Sequence, residues 1–292
     1  MARRKREKSE NEMFYHVISR IANQEYLMDD MVKSKMLEML HASAVFSGVT
    51  VCTYMLMDNH FHLLVYVPVS EDAPVPENVV LERIRALYGA KEAQRFKDRW
   101  AQMRNSGMDT VVEAEINRFR RRMRDISEFV KTFKQRVSQW YNSTHGHVGT
   151  LWTGRFKSPI IENGEHLAMC MTYIHNNPVS AGIVEKALDY PWGAQWAAAH
   201  GDERARKGLA FLSEQYRRCA AEGRFSWNNV SVLAERDLRL SNGVVIGSLE
   251  FVNANAPRPA GGTYSRWHAV HIGGNTYCSH GQRSAPKGAM AA

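Results

Sequence analysis

Cysteine is scarce and never paired in this chain. Cys52, Cys170, Cys219 and Cys278 lie far apart and form no CxxC spacing, which argues against both a zinc knuckle and a disulfide framework. No apolar run approaches the about 18 to 20 residues that span a bilayer. The opening MARRKREKSENE lacks the apolar stretch that a signal peptide carries behind its basic start. These absences point to a cytoplasmic protein with no membrane partner. Acidic residues are also in deficit: 30 Asp+Glu against 38 Lys+Arg leave a net charge of +8. That balance favours a polyanionic partner, because each phosphate neutralised releases counterions. No internal repeat is visible. What remains is an ordinary globular composition, 44% hydrophobic over 292 residues, enough to bury a sizeable core.

Along the chain, a basic leader (residues 1–12) precedes MFYHVIS (Met13–Ser19), which reads as a strand. Asp29–Phe46 shows near-helical spacing of apolar residues and ends at Gly48. Val49–Met57 and His60–Val67 read as paired strands joined by a tight Asp58-Asn59 turn. Two long helical patterns follow, Val79–Met103 and Thr110–Trp140, separated by Asn105-Ser106-Gly107 and rich in Arg and Lys. Arg155–Ile161 is strand-like, and Gly164–His175, Val179–Ala187 and Asp202–Ala221 read as helices. Val244–Val252 is a short strand or turn unit, and the Gly- and Ser-rich stretch 257–292 reads as a loose tail.

His60 and His62 stand at i and i+2 on a predicted strand, so both imidazoles project from one face while Phe61 and Leu63 point into the core. Such a pair suits a divalent metal if a third ligand arrives from elsewhere. Taken alone, it is a weak signal that fits two half-buried sheet histidines better.

The segment MLMDNHFHLLVYVP, with its histidine–hydrophobe–histidine core, resembles the HUH motif of single-tyrosine transposases and rolling-circle nucleases. Downstream, GTLWTGRFKSPII and YIHNNPVSAG…DYPW resemble the G-x-L-W-x-x-R-[FY]-K-S … Y-I-x-x-N-P-V-x-A-G … D-[YW]-P-[WF] pattern of REP-associated tyrosine transposases, and FYHVISR is similar to that family's first strand. The matches cover about residues 13–70 and 129–196, in the family's order. The resemblance implies an α+β fold, a ferredoxin-like antiparallel sheet with helices on one face. On this reading residues 13–196 form the transposase domain with a helical insertion at about 74–127, and 197–256 form a helical C-terminal extension. It implies cleavage and rejoining of single-stranded DNA through a 5′-phosphotyrosine, with Mg²⁺ or Mn²⁺ as cofactor. Its partner would be single-stranded or hairpin DNA of the REP type at the nucleoid, bound by a monomer or homodimer.

Attack on phosphorus by a side chain that must later leave suits tyrosine, since a phenolate of pKa about 10 departs more readily than an alkoxide. A bound metal would polarise the scissile phosphate. Tyr173 and Tyr141 are the candidates in the right region. Tyr141 follows Trp140 near the end of a long helix, where an aromatic pair suits packing. Tyr173 lies four residues before Asn177 on a short helix, so the two share a face. His175, about 200° around that helix, faces elsewhere. The resemblance implies Tyr173 as nucleophile and Asn177 as third metal ligand beside His60 and His62; Asn177 also suits a helix cap before Pro178.

GTLWTGRFKS offers Trp152, Arg155 and Lys157 as single-strand contacts, aromatics stacking on bases and cations holding phosphates. Trp152 and Phe156 fit the core equally well. Within Arg118–Arg124, Arg120 and Arg121 are further backbone contacts if the run is more than a solvated face, as is the leader Arg3–Lys8. Two rivals stay open: a retired transposase that binds hairpins without cutting, and a nuclease that uses water.

Overall fold

A computed structural model describes residues 12–69, 73–222, 244–256, 264–273 and 276–283. Strand β1 (Met13–Arg20) leads to helix α1 (Asp30–Ser47), then to strands β2 (Thr50–Leu56) and β3 (His60–Val67). Helix α1 begins where the Val32 N–H donates to the Asp29 carboxylate at 2.8 Å and stops at Gly48, whose φ of 64° is left-handed. Helices α2 (Glu77–Tyr88), α3 (Ala90–Asn105) and α4 (Asp109–Arg120) precede α5 (Ile126–His145) and the short β4 (Ile160–Ile161).

The order β2-β3-β1-β4, antiparallel throughout, with α1 and α5 packed on one face, is the ferredoxin-like arrangement expected from the sequence. The chain is α+β. The sheet then continues through β5 (Val245–Gly247), parallel to β4, into a hairpin of β7 (Thr276–Arg283) and β6 (Tyr264–Gly273). Among the described residues no helix is long and apolar enough to cross a membrane.

Strand register decides which side chains can meet. On β1 and β3, His16 lies opposite Leu64, Ile18 opposite His62 and Arg20 opposite His60. Because strand side chains alternate, Tyr15, Val17, Phe61, Leu63 and Val65 turn toward α1 and α5 in the main core. Phe14, His16, Ile18, Arg20, His60, His62 and Leu64 turn to the opposite face. There the apolar cluster includes Leu167, Tyr173 and Ile174 of α6 (Glu165–His175), and Leu212 and Tyr216 of α9 (Glu203–Ala221). This second helical layer adds to the one-faced arrangement. Helix α9 comes so near the bulged strand β2 that a Cβ on Gly208 would lie 2.6 Å from the carbonyl oxygens of Val51 and Cys52, an approach that only glycine permits.

Several sequence-based expectations need correction. The single helix over Val79–Met103 is two, because Gly89 takes φ 94° between α2 and α3. Thr110–Trp140 is likewise α4 and α5: Arg124 at φ 52° turns the chain, and the Asp125 carboxylate accepts from the Ser127 and Glu128 N–H groups to start a new helix. Val179–Ala187 is not a helix. Only the turn α7 (Asn177–Ser180) forms, closed by Gly182 at φ 70°. Residues 264–273 and 276–283, read as loose tail, form β6 and β7. Two further helices are short, α8 (Ala194–Ala199) and α10 (Leu249–Asn255). Residues 1–11 of the basic leader lie outside the described residues. Helices α2 to α4 close over a separate apolar cluster of Val80, Ile84, Leu87, Trp100, Val112 and Ile116, seated on Phe46 of α1.

One half-buried histidine is expected to contribute to acid sensitivity. His41 on α1 packs edge-on to Tyr54, with ring centroids 6.2 Å apart. Burial, then the Arg204 guanidinium, push its imidazole down to about 4, with Asp202 opposing. The unfolded chain binds this proton from its ordinary 6.5 and the folded chain does not, so stability is lost as pH falls from 6.5 toward 4. The gap corresponds to roughly 3 kcal/mol. Urea midpoints taken at neutral pH and at about pH 4.5 should therefore fall less for His41→Gln than for the unsubstituted protein. An equal fall in both removes His41 as a cause.

Candidate active site

Alternation on β3 places His60 and His62 on the α6 side of the sheet, with ring centroids 5.0 Å apart. Both are buried, as is Tyr173. The Tyr173 ring stands edge-on to that of His62 at 5.8 Å and to that of His16 at 5.7 Å. Thus a phenol and three imidazoles converge within one chain. The Tyr173 contact follows from helical spacing: Leu167, Cys170, Tyr173 and Ile174 form the stripe of α6 that seats on Phe14, Leu64 and Met55.

Tyr141, the other candidate, belongs to the core cluster on the α1 and α5 side, stacked on His145 with centroids 4.2 Å apart. Burial, then Asp29 and Glu25, hold its phenol above the ordinary tyrosine range. The sheet separates it from His60 and His62.

His16 is a site residue that sequence reasoning missed. It is fully buried on β1, and its Nε2 lies 2.8 Å from the His62 Nδ1, one of the two nitrogens donating to the other. The rings stack at 5.1 Å. A single histidine inside MFYHVISR gives no signal by itself; only the β1–β3 register, one diagonal step from His62, brings it to the site. His60 is held similarly. Its Nδ1 donates to the Asn59 Oδ1 at 2.7 Å, while the Asn59 amide nitrogen donates to the Gln24 carbonyl.

Asn177 takes a local role. Its amide nitrogen donates to the Tyr173 carbonyl at 2.8 Å and to that of Ile174 at 3.4 Å, tying off the end of α6. Only its oxygen is left as a potential ligand. His175, as expected, is turned away into the interior, 2.7 Å from the Thr53 hydroxyl, and burial holds its imidazole down to about 4.

Among the described residues no group of three or more His, Cys, Asp or Glu side chains is arranged to hold a metal ion. The donor set is instead two imidazoles, each with its Nδ1 engaged by a neighbour, so coordination would fall to Nε2 of His60 and of His62. A ring oriented through its second nitrogen is the usual condition of a metal-binding histidine. Two imidazoles are a partial donor set for a divalent ion, which would need further oxygen ligands.

The segment around Trp152 is fixed firmly beside β1. The Thr153 N–H donates to the Arg20 carbonyl and its hydroxyl to that of Ile21, at 2.9 and 2.8 Å. Trp152 is buried, its indole N–H donates to the Lys134 carbonyl at 3.1 Å, and its ring meets Phe61 edge-on at 5.5 Å. It is a core residue and not a base-stacking one, which corrects its place among the DNA contacts. Arg155 and Lys157 are exposed. Arg120 is also corrected: its guanidinium donates to the Val75 carbonyl, Glu113 and Asn117, so it braces the insertion. Arg121 is exposed.

No family model matches the chain, and no curated protein matches it. Among solved structures, a REP-associated tyrosine transposase bound to a REP hairpin aligns over 81% of this chain and 99% of its own, with 13% identity and a TM-score of 0.43.

Proposed function

We propose that this protein cleaves and rejoins single-stranded DNA by transesterification, with Tyr173 as nucleophile. The observation that carries the reading is the meeting of the Tyr173 ring with His62 and His16 on one buried sheet face, in a chain whose histidine and tyrosine segments both carry the motif resemblance. Tyr173 Oη would attack phosphorus as the bond to the 3′ oxygen breaks, the departing oxygen gaining a proton. The 5′-phosphotyrosine stores the phosphodiester, and attack by a 3′-hydroxyl restores it without external energy.

His60, His62 and the Asn177 oxygen would hold Mg²⁺ or Mn²⁺, which when bound polarises the scissile phosphate. Asn59 would fix the tautomer and plane of the His60 ring, and His16, by accepting from the His62 Nδ1–H, those of the His62 ring. The substrate, a single strand bordering a REP-type hairpin, rests on the sequence resemblance.

Incubation with Mn²⁺ and labelled single-stranded DNA carrying a hairpin should yield an adduct that survives denaturation. Cleavage without an adduct would favour hydrolysis by water, and retention without cleavage a binding protein. His16 is testable without turnover. His16→Ala should weaken Mn²⁺ binding, measured by calorimetry, by about 10- to 100-fold. Unchanged affinity would remove it as the orienter of His62.

A further inference from the structure

Arg20 ends β1 directly opposite His60, and alternation puts it on the same face as His16, His60 and His62. A second cation comes to that face from the other side of β1. Lys157 bridges Ile18 through a reciprocal pair of backbone hydrogen bonds, each 2.9 Å, and so it shares the Ile18 orientation. Both side chains are exposed. They are also close enough for the Arg20 guanidinium to add to burial in holding the Lys157 ammonium below its ordinary range. Two cations brought together beside a site are stabilised by an anion between them. The backbone here is rigid on both sides, since Thr153 and Asn59 bond the carbonyl of Arg20 and the N–H of Ile21.

We propose that Arg20 and Lys157 form a two-cation clamp for a DNA phosphate at the rim of the His60–His62 face. Lys157 stands out as a basic residue in the sequence, whereas Arg20 draws no attention at the end of an apolar strand. The clamp rests on the reading of this face as a DNA-processing site. It holds the strand so that the neighbouring phosphodiester reaches Tyr173. Arg suits the position because its planar guanidinium grips two phosphate oxygens at once.

The test uses the full chain carrying Tyr173→Phe, which isolates binding from covalent chemistry, with a fluorescent oligonucleotide titrated at several salt concentrations. Arg20→Ala should weaken binding by about tenfold and lower the slope of log K against log salt by about 0.7, one phosphate contact on a single strand. Arg20→Lys should keep most of the slope. Arg95, an exposed residue of the insertion paired with Glu92, gives the control for charge alone. Equal losses for Arg20→Ala and Arg95→Ala, or no loss for Arg20→Ala, would overturn the clamp. The outcomes separate from those for the reaction. A protein that forms no adduct yet loses binding on Arg20→Ala keeps the clamp and loses the transesterase reading. One that forms the adduct with Arg20→Ala unaffected loses only the clamp.

Discussion

Tyr173→Phe should form no covalent DNA adduct and should cut single-stranded DNA at least about a thousandfold more slowly, because the proposed reaction runs through the phenol oxygen as nucleophile. The substitution removes one oxygen from a ring that packs among Leu167, Ile174 and Leu64, so folding should be preserved and DNA binding retained. A denaturing gel on protein and labelled strand reads the adduct directly. Tyr141→Phe is the matching control, since its ring lies across the sheet against His145; it should form the adduct at the rate of the unsubstituted protein. Residual activity in Tyr173→Phe with an adduct still present would place the nucleophile elsewhere.

The second large effect concerns stability. Trp152→Ala should cost about 3 to 5 kcal/mol, the range for truncating a buried aromatic. The indole fills the core between Phe61, Ile21 and Leu151 and closes a hydrogen bond to the Lys134 carbonyl. Native stabilities are about 5 to 15 kcal/mol, so the loss would approach the whole margin in a weakly stable chain. Urea unfolding measures it. A base-stacking tryptophan behaves in the opposite way: its removal would shift stability by about 0.5 kcal/mol or less and weaken single-strand binding by about 1 to 3 kcal/mol. The sign of this contrast bears on the site, because Phe61 sits between the two histidines and its ring rests on Trp152.

Sequence pattern gave the first half of the fold because its signals are local. Asp29 and Gly48 bracket α1, Asp58-Asn59 turns β2 into β3, and the alternation around Phe61 fixes which residues share a face. What pattern missed depends on partners distant in sequence. Gly89 interrupts a helical period without disturbing it, since Val80, Ile84 and Leu87 before the break and Ala93 and Trp100 after it line one cluster. Strands β6 and β7 carry glycine and polar residues and acquire their place by pairing, β7 with β5 and β6 with β7. At the site, the HxH spacing and the place of Tyr173 on a helix were legible, whereas Asn177 falls past the end of α6 and bonds the Tyr173 carbonyl. His16 and Arg20 were not, because each is a lone polar residue on a strand until the β1–β3 register sets it beside His62 or His60. Trp152 misled in the opposite direction: aromatic and cationic residues in one short segment suit DNA equally well whether or not the ring is buried, and only its packing on Phe61 decides.

The most direct measurement is the identity of the residue that carries DNA. Protein trapped with a hairpin-bearing strand and Mn²⁺, digested first with nuclease and then with protease, can be analysed by peptide mass spectrometry. A nucleotide remnant on the peptide containing Tyr173 is the result required if phenol and imidazoles act together on one face of the sheet. A remnant on Tyr141 or any other residue, or cleaved strands with no modified peptide, would contradict it.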